Sequence, residues 1–341
     1  MLRFDSDYME GCCPEILRRL TEINLQKNTG YGEDEICNAA REKIRAACGC
    51  PEAEVRFISG GTQTNSLMIG ALLRPYEGVL SADSGHITGH EAGAIEHGGH
   101  KVLTLPNHDG LVDAADVHSY MRAFLADEAR THLVQPGMVY ISHPTEYGTL
   151  YSRARLEALR AACDEYGLKL YMDGARLGYG LATPGTDLTL RDIARLVDAF
   201  YIGGTKVGAL FGEAVVVPNP KLIPHFFTMI KQHGALLAKG WVLGLQFDTL
   251  FTDGLYLRAA ENAIATAAVL REGLRAKGVE FYIDSPTNQI FPVLDNEKIA
   301  ELRKQVSFNL WAPLDETRSV IRFVTSWASE EADIQALLRL F

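Results

Sequence analysis

Two hydrophobic periods alternate along most of this chain. Val55-Arg56-Phe57-Ile58, Val79-Leu80-Ser81-Ala82, Lys101–Leu105, Met138–Ser142, Leu170–Asp173, Ala199–Ile202 and Ala214–Val217 are short runs rich in apolar and β-branched residues, and they read as strands. Between them the apolar positions recur at helical spacing. This predicts helices over Glu15–Gln26, Glu33–Cys48, Ser66–Leu73, Asp113–Ala129, Arg153–Tyr166 and Thr189–Val197. Strand and helix in alternation predict an α/β fold, with a large, mostly parallel seven-stranded sheet flanked by helices. The pattern then changes. Residues 221–277 are helix-rich, with Trp241–Leu250 and Ala259–Arg275 the main candidates. Phe281-Tyr282, Ile290–Val293 and Ser319–Val324 follow as short strands, and Glu330–Leu340 as a last helix, which predicts a small C-terminal α+β domain. The expected division is an irregular N-terminal segment 1–15, a large domain 16–245 and a small domain 246–341.

Composition changes this picture little. The chain has 341 residues, a length that fits two such domains, and a formal charge of −10, which disfavours nucleic acid or an anionic membrane as the main partner. No apolar run reaches the length of a membrane span, and the opening Met1-Leu2-Arg3-Phe4-Asp5 is no secretory leader, so a cytoplasmic protein is expected. The six cysteines lack both a disulfide framework and paired CxxC spacing, and reduced structural thiols are expected.

The chemistry-bearing residues cluster just after predicted strands, where open α/β sheets bind their ligands. Ser59-Gly60-Gly61-Thr62-Gln63-Thr64-Asn65 joins a strand to an apolar helix. Such a loop offers backbone N–H groups and a helix dipole to an anion, although a plain tight turn would look the same; it is neither a Walker loop nor GxGxxG. His86 follows the second strand. Asp173 and Arg176 follow the Leu170 strand, and Lys206 ends Gly203-Gly204-Thr205-Lys206, 33 positions after Asp173. An anion cradle, a flat ring, a carboxylate and a strand-end lysine are the parts of a pyridoxal phosphate site. The lysine would take the aldehyde and the Asp would pair with the ring nitrogen. His86, His90, His97 and His100 lack a matched set of carboxylates or thiols, so no metal is expected. Trp241, Trp311 and Trp327 read as packing residues.

Seven motifs in order then carry a resemblance over nearly the whole chain: Phe4-Asp5-Ser6-Asp7, Tyr31-Gly32-Glu33-Asp34, Gly60–Asn65, Asp83–Ile87 with Glu91-Ala92-Gly93, Asp173–Leu177, Gly203–Lys206 and Arg322-Phe323-Val324-Thr325. Together they resemble the low-specificity threonine aldolases, in the β-eliminating lyase group of fold type I pyridoxal phosphate enzymes. The resemblance implies that Lys206 is the Schiff-base lysine and that Asp173 meets the pyridine nitrogen. Gly60, Gly61, Thr62 and Thr205 would hold the cofactor, His86 would stack on its ring, and Arg176 would sit near cofactor and substrate. Ser6 and Arg322 would grip the substrate carboxylate. Tyr31 and Lys239 would reach a neighbouring subunit's site, in a homodimer or dimer of dimers.

The implied reaction cleaves a β-hydroxy-α-amino acid such as threonine or allo-threonine to glycine and an aldehyde. Some members of the group carry a histidine in the turn His143-Pro144-Thr145-Glu146. Alignment puts Thr145 there, and a shift of two would put His143, so His86, Glu91 or a phosphate-bound water stay open as the base. A β-elimination, a phenylserine-type cleavage and a non-catalytic cofactor binder are the competing readings.

Overall fold

The computed structural model describes residues 1–341. Seven strands form its main sheet: β1 Glu54–Ile58, β2 Glu77–Ala82, β3 Val102–Leu105, β4 Gln135–Ser142, β5 Lys169–Asp173, β6 Ala199–Gly203 and β7 Glu213–Val217. Their spatial order is β1-β7-β6-β5-β4-β2-β3. All neighbours run parallel except β7, which is antiparallel to both β1 and β6.

Every residue of β6 and β7 is buried, as expected of strands covered by helices on both faces. Pleating sorts their side chains. Phe200, Ile202, Ala214 and Val216 enter the larger apolar core, whereas Ala199, Tyr201, Val215 and Val217 enter the smaller one, under helix Gly61–Leu72. Tyr140 and Tyr171 share that second face with Tyr201. By the same alternation Ser142, Asp173 and Glu213 belong to it as well. One face of the sheet therefore delivers three tyrosines, two carboxylates and a serine toward the same end.

A second sheet has four antiparallel strands, β8 Glu280–Ile283, β9 Gln289–Asp295, β10 Asn309–Pro313 and β11 Arg318–Val324, in the order β10-β11-β9-β8. The long helix Leu255–Ala276 joins the two layers. Its residues up to Ile264 pack in the larger core, and Ala267, Leu270 and Leu274 pack under the small sheet.

Four sequence expectations need correction. Residues 1–15 are not wholly irregular: Leu2–Arg3 pairs in parallel with Val306–Ser307, and Phe4 is buried in the small sheet's core. The boundary expected at 245/246 falls inside helix Trp241–Leu250, whose Leu243, Leu245, Phe247 and Leu250 all lie in the larger core. The helix expected from Ser66 starts five residues earlier, at Gly61. Strand β10 was not expected at all; its residues are mostly half-buried, so it lacks a strong apolar signal.

Candidate active site

The carboxyl ends of β5 and β6 pack backbone against backbone. A Cβ on Gly174 would lie 1.9 Å from the Tyr201 carbonyl oxygen, and one on Gly203 would lie 2.3 Å from that of Ala175. This contact is why Asp-Gly-Ala and Gly-Gly-Thr-Lys occur where they do. Glycine lets the two strand ends meet, and the residues beside the glycines then share one space. That space is a cavity of about 310 Å³ whose lining includes Gly60, Gly61, Thr62, His86, Asp173, Arg176, Thr205 and Lys206. Tyr8, Glu91, Thr145, Glu146 and Glu213 line it too.

Asp173 sits on the floor with four donors. Tyr201 Oη (2.5 Å) and the Ala175 N–H (2.9 Å) serve Oδ1, and Tyr140 Oη (2.7 Å) and Asn65 Nδ2 (2.9 Å) serve Oδ2. Burial alone would raise its pKa. The neighbouring His86 and the hydrogen bonds from Tyr201, Asn65 and Tyr140 outweigh burial, and the carboxyl stays below its ordinary value.

Lys206 is half-buried in the cavity wall. Burial, and then the charge of Arg176, lower its pKa, against the opposing pull of Asp7, Asp173 and Glu213. Arg176 itself is not a free cation. Its Nε and Nη2 bind Asp7 in a bidentate pair at 2.7 and 3.0 Å, and Asn288 adds a third bond to Asp7 at 2.9 Å.

His86 opens a short helical turn, and its Nδ1 lies 2.8 Å from Glu91 Oε1. Asn65 Nδ2 donates both to that oxygen, at 2.7 Å, and to Asp173. Nε2 of His86 has no protein partner, and the side chain keeps 36% of its surface exposed. Burial pulls the imidazole pKa down, but Glu91 and Asp173 raise it above its ordinary value.

The helix beginning at Gly61 directs three N–H groups, those of Gly61, Thr62 and Gln63, away from its own hydrogen bonds. A Cβ on Gly61 would come within 3.2 Å of Tyr201 Oη, so glycine keeps this cradle open beside the tyrosine that holds Asp173. Thr205 spends its hydroxyl inside the protein. It donates to Glu213 Oε1 at 2.8 Å and accepts from the Gly212 N–H at 2.9 Å.

Arg322 lies beside the cavity rather than in its lining. Its Nη1 donates to Gln289 Oε1 at 3.0 Å, and its guanidinium rests 5.2 Å from the Trp311 ring centre. Burial, and then Arg176, push its pKa down to about 10. Ser6 is buried between Asp5, which is tied to Asn309, and Asp7, which is tied to Arg176. Tyr31 and Lys239 are both exposed and lie outside the cavity; Tyr31 lines a separate pocket with Arg41 and Leu237.

Of the turn 143–146, Thr145 and Glu146 line the cavity and His143 does not. His143 is fully buried with Nε2 unpartnered, and burial lowers its pKa to about 4. Thr145 bonds Thr149 Oγ1 at 2.6 Å. Sequence reasoning missed Asp7, Glu146, Glu213 and the tyrosines around Asp173. Asp7 stood within the Phe4–Asp7 motif, and Glu213 stood just before the expected strand Ala214–Val217, which the structure extends to include it. The partners that give these residues a role lie far away in the sequence.

Similarity to known proteins agrees with this geometry at two levels. The architecture is that of the fold type I pyridoxal phosphate enzymes. A double mutant of the Thermus thermophilus aspartate aminotransferase superposes with a TM-score of 0.73 at 18% identity, covering 100% of this chain and 91% of that one. More narrowly, the chain belongs to the beta-eliminating lyase family, whose sequence model matches residues 3–297. It is 30% identical over 338 residues to a low specificity L-threonine aldolase from a Pseudomonas species, covering 98% of this chain and 95% of the relative. The structure of a threonine aldolase from Leishmania major matches with a TM-score of 0.97 at 44% identity, over 100% of this chain and 98% of that chain.

Proposed function

We propose that this protein cleaves threonine-type β-hydroxy-α-amino acids to glycine and an aldehyde, with pyridoxal 5′-phosphate bound at Lys206. The carrying observation is the convergence of Lys206, Asp173, His86 and the N-terminus of helix Gly61–Leu72 on one cavity. The donor set fits that cofactor. Three N–H groups at a helix start suit a phosphate. A carboxylate held ionised suits a protonated ring nitrogen, and a cavity-lining amine with a lowered pKa suits an aldehyde. When bound, pyridoxal phosphate supplies an electron sink for the substrate's α-carbon.

The residues then divide the work. Gly61, Thr62 and Gln63 hold the phosphate through their N–H groups. Asp173 would accept a hydrogen bond from the protonated ring nitrogen, and the donors around it keep its carboxylate charged. Lys206 holds the cofactor through its amine. Arg322 binds the substrate carboxylate, for which it keeps an unspent positive charge, whereas the charge of Arg176 is already matched by Asp7. His86 covers the ring and takes the β-hydroxyl proton at Nε2, with Glu91 fixing its other nitrogen. Thr145 is a poor base, since its hydroxyl is engaged and has no charge to gain cheaply. Lys239 and Tyr31 complete the site of a neighbouring copy.

Product analysis tests the proposal. Incubation with L-threonine and L-allo-threonine should release glycine and acetaldehyde in equal amounts; ammonia with a keto acid would refute it.

A further inference from the structure

Two half-buried arginines stand at the cavity, Arg176 in its lining and Arg322 beside it, and they are treated oppositely. Arg176 faces a carboxylate that takes two of its N–H groups. Arg322 makes no ion pair, and its only side-chain acceptor is a neutral amide, Gln289 Oε1, at 3.0 Å. Its Nε is buried without any acceptor, and its guanidinium is backed by Trp311. Gln289 is itself fully buried, on β9 opposite Val324 of β11. Its Nε2 reaches the carbonyl of Thr145 at 3.5 Å, so the same side chain touches both the arginine and the turn that lines the cavity.

From this arrangement we infer that Gln289 is a positioning residue that aims Arg322 while leaving its charge uncompensated for an incoming carboxylate. A glutamate in the same place would aim the guanidinium equally well and neutralise it. A leucine would leave the charge and lose the aim. An amide does both jobs, because its oxygen accepts and its nitrogen donates, and it brings no charge. Trp311 supplies a flat apolar wall that a guanidinium accepts as a stacking partner. Trp311 therefore packs as the sequence suggested, and its packing partner belongs to the substrate clamp.

The inference rests on the reading of Arg322 as the carboxylate clamp, and its test separates the two. Holoenzymes of wild type, Gln289→Glu, Gln289→Leu and Arg322→Leu are titrated calorimetrically with glycine and with ethanolamine, which has the amine but no carboxylate. Cofactor content is measured in each. Gln289→Glu should weaken glycine binding by roughly tenfold or more, with ethanolamine binding and cofactor content unchanged. Gln289→Leu should fall between it and wild type. Wild-type glycine affinity in Gln289→Glu, with Arg322→Leu impaired, would overturn the role of Gln289 and leave the clamp standing. Unimpaired glycine binding in Arg322→Leu would overturn both. Equal losses of glycine and ethanolamine in Gln289→Glu and Gln289→Leu would mean a structural residue and would also overturn the inference.

Discussion

Asp173 and Glu213 are both buried carboxylates on one face of one sheet, and their environments drive them apart. Asp173 has four donors and a nearby imidazole, and it stays charged. Glu213 has two, the Thr205 hydroxyl and the Gly204 N–H at 3.1 Å. For Glu213 burial wins, and its pKa rises to about 8. The count of donors decides which group can serve as a fixed anion. His86 shows the same logic at a base. Glu91 and Asp173 raise its pKa, and it can accept a proton only when neutral. The kcat/KM profile should therefore rise with pH through a value higher than that of an ordinary histidine. Glu91→Gln removes the main raising partner and should move that limb to lower pH; an unmoved limb would assign it to another group. His86→Phe keeps a flat ring and removes the base, so kcat should fall by about 10²–10⁴. A smaller loss in steady-state assays would leave only the ring-covering role.

At the scale of elements, the site depends on how closely β5 and β6 approach. Gly174→Ala places a methyl against the Tyr201 carbonyl and should destabilise the fold by at least about 1–3 kcal/mol, read as a lowered denaturation midpoint. A midpoint equal to wild type would mean that the strand ends are not held together as described. The parallel sheet and the strand-end positions of Asp173 and Lys206 were legible because buried strands are continuous apolar runs and because glycines punctuate their ends. The start of helix Gly61–Leu72 was not. Gly61, Thr62, Thr64 and Asn65 have weak helix propensity, and tertiary packing overrides it: Thr64, Asn65 and Leu67 are all buried. The Asp7–Arg176 pair spans 169 positions, and no local pattern announces such a contact. The same holds for Gln289, which in the sequence is one polar residue before an apolar run. Asp173 and Lys206 carry their chemistry locally, whereas the groups that tune them are gathered only by the fold.

For the whole molecule, Tyr31 and Lys239 lie on exposed surface away from their own cavity. In the assembly proposed here they complete a second copy's site. Lys206→Ala and Lys239→Ala chains, each with impaired activity alone, should regain activity when unfolded together, refolded and allowed to pair, because a mixed pair contains one intact site. Activity no greater than the sum of the separate variants would contradict shared sites.

Everything proposed for the cavity turns on the amine of Lys206 in its wall. Borohydride reduction of the holoenzyme followed by peptide mapping by mass spectrometry tests it most directly. One phosphopyridoxyl addition is expected, on the peptide containing Gly203-Gly204-Thr205-Lys206 and on Lys206 itself. Label on any other lysine, or none in protein that retains its cofactor, would contradict it.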